Sequence, residues 1–129
     1  YMHMGECHIK VVSLNVRGLV SVAKRRKMYI WLKKQKADIA LLQETHCTKA
    51  KSLTFERAWD GNSYFAYTDS AHSRGVVVLF NNTLNVKIID HHCTDDGRKI
   101  LINFEVNNRP ITIVNVYAPT DEKKQNYIL

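Results

Sequence analysis

Hydrophobic positions along this chain change their spacing twice, and each change marks a different element. Residues 8–16, HIKVVSLNV, are rich in β-branched side chains and stop short of Gly18, which predicts a strand. Over residues 22–36, Met28, Trp31 and Leu32 fall at helical spacing. Lys24, Arg25, Arg26, Lys27, Lys33, Lys34 and Lys36 lie largely elsewhere on the wheel, so an amphipathic helix with one basic face is expected. Residues 38–43, DIALLQ, form the near-continuous apolar run of a strand buried on both faces. Strand, helix and strand in close succession make a βαβ unit, with a right-handed crossover expected.

Beyond it come a loop rich in Thr and Lys, a short helix near residues 52–59, and the turn signal Asp60-Gly61-Asn62-Ser63. The period then becomes two. Residues 64–68, 75–80, 85–93, 99–106 and 110–117 read as successive strands. Turn clusters at Ser73-Arg74-Gly75, Asn81-Asn82, Asp95-Asp96-Gly97 and Asn107-Asn108-Arg109 separate them. A βαβ opening followed by a meander is an α+β pattern. Thr120 and Asp121 read as an N-cap for a helix expected from Glu122, an element that the sequence is expected to leave unfinished at Leu129. No internal repeat, low-complexity tract or interdomain linker interrupts the pattern.

Composition narrows the class. With 129 residues, 45% of them hydrophobic, the chain suits one folded domain with its own core. Nineteen Lys and Arg against twelve Asp and Glu give +7, a bias toward polyanionic partners such as nucleic acid. Cys7, Cys47 and Cys93 are odd in number and contain no CxxC pair, which argues against a disulfide framework and a structural zinc site and for a reducing compartment. No apolar run reaches the ~20 residues that span a bilayer, and no charged-then-apolar leader opens the chain. An intracellular protein, nuclear or cytoplasmic and without a membrane partner, is the expectation. Residues 1–4 read as a cloning remnant, with residues 5–129 as the domain.

Three strand ends carry the candidate chemistry. SLNVRGL, residues 13–19, places Asn15 at the end of the first strand. LLQETHC, residues 41–47, places Glu44 at the end of the second, and NVYAPT, residues 115–120, places Tyr117 at the end of the last. Polar groups converging at strand termini are how α/β sheets build sites. Each also has a plain alternative: Asn15 serving the turn at Gly18, Glu44 solvated, Tyr117 half in the core.

In this order and spacing SLNVRGL, LLQETHC, SRGVVVLF (residues 73–80) and NVYAPT resemble the first motifs of the endonuclease/exonuclease/phosphatase superfamily. The likeness is to the endonuclease domain of LINE-type retrotransposons, kin to the apurinic/apyrimidinic endonucleases, and covers residues 8–129. The resemblance implies half of a four-layer α/β sandwich: a βαβ start followed by a mostly antiparallel sheet, with helices on one face. It implies Mg2+, or Mn2+, as a cofactor that a half-site need not retain. Glu44 becomes the metal ligand, as a hard cation prefers carboxylate oxygen. Asn15 becomes a hydrogen-bonding group at the metal and phosphate, and Tyr117 a phenol beside the scissile phosphate. His46 and Arg74, with Lys24 and Arg25 of the basic helix, are candidates for phosphate or nucleic-acid contact.

The superfamily's complete domain is longer, and its second half supplies an Asp-x-Asn motif, a further aspartate and an Asp-His pair, none of which this sequence reaches. Asp90, His91 and His92 fall in a strand whose alternation sends neighbours to opposite faces, so HHC at 91–93 reads as ordinary strand. Three functions remain open: the N-terminal half of a magnesium-dependent DNA endonuclease of a retroelement, with little or no turnover alone; a non-catalytic module that binds nucleic acid or self-associates; and a phosphatase-type member of the superfamily. If these residues form one sheet with helices on one side, the other face needs a cover, and a homodimer is expected to provide it.

Overall fold

The computed structural model describes residues 8–68 and 74–118. The tetrapeptide 1–4, Cys7, Ser73 and the helix expected from Glu122 lie outside the described residues. The element order is β1 (Val11–Asn15), α1 (Val22–Lys34), β2 (Ile39–Gln43), a 3-10 turn (Lys49–Lys51), α2 (Ser52–Arg57), β3 (Ser63–Ala66), β4 (Val76–Phe80), β5 (Lys87–Cys93), β6 (Lys99–Val106) and β7 (Arg109–Val116). The chain is α+β, as its hydrophobic spacing predicts. No helix among the described residues is long and apolar enough to cross a membrane.

The strands do not make one sheet. A four-stranded sheet has the order β1-β2-β4-β3, with β1 parallel to β2 and the other pairs antiparallel, and a separate antiparallel sheet has the order β5-β6-β7. The reason lies in β4. Its two edges are taken by β2 and β3, so the next strand in sequence cannot pair with the strand it follows, and it begins a second layer. That layer lies on the first. Ile100, Ile102, Phe104 and Val106 of β6 pack against Ile39, Ala66, Val76, Val78 and Phe80, and the rings of Phe80 and Phe104 meet edge to face at 5.3 Å. The face of β4 and β6 expected to lack a partner is therefore covered from within the chain.

The opposite face of the first sheet is covered by α1 and α2, where Tyr29, Leu32 and Phe55 meet Ala40, Leu42, Val77 and Leu79. Ser21 caps α1, its Oγ accepting from the Lys24 amide at 3.4 Å. The buried stripe of α1 is Arg25, Tyr29 and Leu32, with Met28 packed at its margin. Trp31 is 40% exposed instead of facing the sheet, because positions 25, 29 and 32 define the inward arc and residue 31 lies off it.

Candidate active site

Parallel pairing of β1 with β2 puts their carboxyl ends side by side, with Asn15 registered against Gln43. The loops beyond them continue the pairing: the Val16, Gly18 and Leu19 amides donate to the carbonyls of Gln43, Glu44 and Thr45 at 2.9, 2.6 and 2.9 Å. On the other flank Thr45 and His46 donate to the Gly75 and Arg74 carbonyls at 2.9 and 3.0 Å. The tip of β2 is thus held between the exit of β1 and the entry of β4.

Strict alternation would send Glu44 to the helix face with Leu42, away from Asn15. It does not go there, because the backbone turns left-handed at Glu44 (φ 55°), and also at Arg17 (φ 50°) and His46 (φ 60°). Non-glycine residues in this region cost about 1 kcal/mol or more each. Three of the six left-handed non-glycine residues among the described residues gather around this one strand tip. The result is a direct contact: Asn15 Nδ2 donates to Glu44 Oε2. The Arg17 amide donates to Asn15 Oδ1 at 3.0 Å and fixes the orientation of the carboxamide.

Glu44 is 9% exposed. Among the described residues no cation forms an ion pair with it. A carboxylate taken out of water without a cation is costly, so the position suits a positive group that the described residues do not bring. A hard divalent ion fits. The carboxylate and the neighbouring Asn15 carbonyl oxygen are hard donors, and Mg2+ usually keeps several waters on one or two protein carboxylates. Among the described residues no cluster of three His, Cys, Asp or Glu side chains forms a closed cage.

The remaining candidates separate. Tyr117 follows β7 and donates its backbone amide to the Arg98 carbonyl at 2.7 Å. By strand alternation it follows Ile113 and Asn115 on the inward face, and its side chain packs at the edge of the inter-sheet core. Its neighbours Val116 and Ala118 line one wall of a cleft of about 420 Å³ whose other wall carries Ser13 and Asn15. His46 lies against Gly18 so closely that a Cβ there would come within 2.9 Å of its Nδ1. Arg74 contributes its carbonyl to the loop.

Lys24 donates from Nζ to the Val16 and Arg17 carbonyls at 2.6 and 3.1 Å, stapling the loop that carries Asn15. Arg25, expected at a phosphate, is turned inward. It is 5% exposed, donates to the Leu19 and Val20 carbonyls at 3.0 and 3.3 Å, and lies 4.5 Å over the Phe55 ring. Its charge satisfies loop carbonyls that would otherwise be buried unpaired. His91 rests against Tyr64, ring centroids 4.8 Å apart. Cys47, beneath the tip, has its thiol pushed up to about 12 by burial, which leaves it neutral and a poor nucleophile.

Two residues of the site region were not singled out by sequence. Asn115 is buried and bonded to both β2 and β4, and Gln43 bridges it to Ser13. The signal was present as a polar residue at an inward position of an otherwise apolar alternation, RPITIVNV.

Residues 12–128 match the Endonuclease/Exonuclease/phosphatase family. The chain is 25% identical over 112 residues to the Transposon TX1 uncharacterized 149 kDa protein of Xenopus laevis, covering 87% of this chain and 8% of that protein. Its fold is similar to that of the Xenopus laevis APE2 catalytic domain, with a TM-score of 0.62 and 22% identity, covering 92% of this chain and 49% of that one. It is also similar to the endonuclease domain of TRAS1, a telomere-specific non-LTR retrotransposon, with a TM-score of 0.59 and 16% identity over 92% of this chain and 50% of that one. The chain therefore spans about half the length of these solved structures. By sequence over most of its length, and by fold, the chain belongs to the endonuclease/exonuclease/phosphatase family.

Proposed function

We propose that this chain is the N-terminal half of a divalent-metal-dependent DNA endonuclease of a retroelement, with Asn15, Glu44 and Tyr117 as its part of the catalytic site. The observation that carries the reading is the buried Glu44 carboxylate, held by Asn15 and facing no cation among the described residues. Mg2+ or Mn2+, when bound, would supply positive charge against the oxygens of a phosphodiester. Glu44 would hold it, and Asn15, fixed by Arg17, would keep the carboxylate in one orientation. Tyr117 would offer its phenol as a donor to a phosphate oxygen, with His46 and Arg74 as further phosphate contacts. Lys24 would act by stapling the Asn15 loop. The proposed compartment is intracellular.

Spanning about half of its solved relatives, the chain alone is expected to turn over little or nothing. In magnesium it should nick supercoiled plasmid no faster than a Glu44→Ala control, because losing a general base and metal ligands removes orders of magnitude in rate. Robust nicking that disappears in that variant would overturn the incomplete site. Release of phosphate from a small phosphomonoester, without nicking, would favour the phosphatase-type alternative.

DNA binding is expected to be electrostatic and poorly selective for sequence. Lys33 is paired with Asp60 at 2.8 Å, Arg25 is buried and Lys24 is spent on loop carbonyls, which leaves Arg26, Lys27, Lys34 and Lys36 on the solvent side of α1 and its end. With roughly three or four phosphate contacts, affinity for a duplex should fall about 40- to 150-fold from ~50 to ~200 mM salt. Equal binding at the two concentrations would show that this face is only the solvated cover of the sheet.

A second copy is the further partner proposed. The cover is needed at the open edges, not at the inter-sheet face. β1 pairs only with β2 and β7 only with β6 among the described strands, and Val11, Val114 and Val116 on these two strands are 48, 45 and 48% exposed. Long apolar edges recruit other strands. Light scattering at micromolar concentration should give twice the 14.9 kDa of one chain, and a monodisperse species at the single-chain mass would reject the pairing.

A further inference from the structure

The two sheets meet almost wholly through apolar side chains, and apolar contact is non-directional: it holds layers together without fixing how far one slides along the other. Asn115 is the exception. Ile111 and Ile113 precede it on the inward face of β7, where alternation calls for a third apolar residue, yet an asparagine stands there at 1% exposure. Its Nδ2 donates to the Leu42 carbonyl of β2 at 3.1 Å and to the Val77 carbonyl of β4 at 2.9 Å. Its Oδ1 accepts from Gln43 Nε2 at 2.8 Å, and the same Nε2 reaches Ser13 Oγ of β1 at 3.1 Å. Among the described residues, every side-chain hydrogen bond recorded between strands of the two sheets runs through Asn115.

Three directional bonds to a pair of strands define a position along β7 as apolar packing does not. Two residues further on the same inward face stands Tyr117, about 7 Å along the strand. One residue beyond Gln43 stands Glu44. The candidate site therefore draws Asn15 and Glu44 from one sheet and Tyr117 from the other, and the bonded amides of Gln43 and Asn115 line the same cleft as Asn15.

We propose that Asn115, keyed by Gln43, is a positioning residue that fastens the end of β7 to β2 and β4 and so sets Tyr117 relative to the Asn15–Glu44 pair. The inference rests on the endonuclease reading for what Tyr117 does, and on the hydrogen bonds for how it is placed.

The test is NMR on the chain labelled at tyrosine, isoleucine and asparagine, with Asn115→Leu, which fills the space without directional bonds, and Asn115→Asp, which keeps the shape but loses the donor. In both, the Tyr117 amide should exchange at least ~10-fold faster than in the parent, while the Ile100 and Ile102 amides in the middle of β6 keep their protection. Gln43→Leu, which removes only the key, should fall between. Unchanged Tyr117 exchange in Asn115→Leu, or equal acceleration at Ile100 and Ile102, would overturn the proposal by showing no role or a generic packing role. Mn2+ separates the two layers of inference. In the parent it should broaden both the Asn15 side-chain amide and the Tyr117 ring; in Asn115→Leu it should still broaden Asn15 while the effect at Tyr117 drops several-fold. Failure to broaden Asn15 in the parent sinks the metal-site reading and leaves the positioning role to be judged by exchange alone.

Discussion

Gly75→Ala is expected to lower the unfolding free energy by about 3 kcal/mol or more, out of proportion to one added methyl group. Gly75 has φ +103° at the entry to β4, a conformation that side-chain-bearing residues rarely adopt. A Cβ there would stand 2.7 Å from Thr45 Oγ1 and 3.2 Å from the His46 and Cys47 backbone nitrogens. The backbone cannot withdraw easily, because the Gly75 carbonyl accepts from Thr45 at 2.9 Å and its amide donates to the Gly97 carbonyl at 3.0 Å. Relief must come from moving residues 45–47, which carry Glu44 with them. Urea unfolding of the variant beside Asn82→Ala, an exposed turn position, measures the effect. A difference within ~0.5 kcal/mol between the two would show that the tip of β2 yields freely.

The elements themselves were legible because each obeys a local rule. Alternation along KILINFEV matches its observed burial residue by residue, and the helical spacing over residues 22–36 brackets α1. What was not legible is non-local. No pattern in β5 says that both edges of β4 are already occupied, so the second sheet could not be foreseen from spacing. The sequence offers Arg25 as a phosphate contact on the basic face of the helix, because charge usually stays in water. Its burial follows from the carbonyls of Leu19 and Val20, whose need for a donor appears only once the loop has folded back over α1. The contact between Asn15 and Glu44 is a mixed case. Both residues stand out as polar strand ends, but period-two alternation assigns them to opposite faces, and only the left-handed backbone at Glu44 reunites them. Asn115 was legible in principle, as a polar side chain on the apolar side of its strand, since breaches of a local pattern tend to gather at sites.

Glu44→Gln should reverse its effect on stability with the metal content of the buffer. In chelator the variant is expected to be as stable as the parent or more so. The glutamine keeps nearly the same volume and can still accept from Asn15 Nδ2, while removing a buried charge that no cation among the described residues offsets. In Mg2+ the order should invert. A cation that binds the folded chain but not the unfolded one stabilises it by about 2.7 kcal/mol at one hundred times its dissociation constant, and the neutral amide gives up the charge on which that binding depends. Parallel thermal melts of parent and variant in chelator and across a Mg2+ and Mn2+ series read both halves. A metal-dependent rise in the parent that is absent from Glu44→Gln places the cation at this carboxylate. An equal rise in both would put the binding elsewhere, and a variant already less stable in chelator would mean that Glu44 serves the fold itself, with Asn15 as its structural partner.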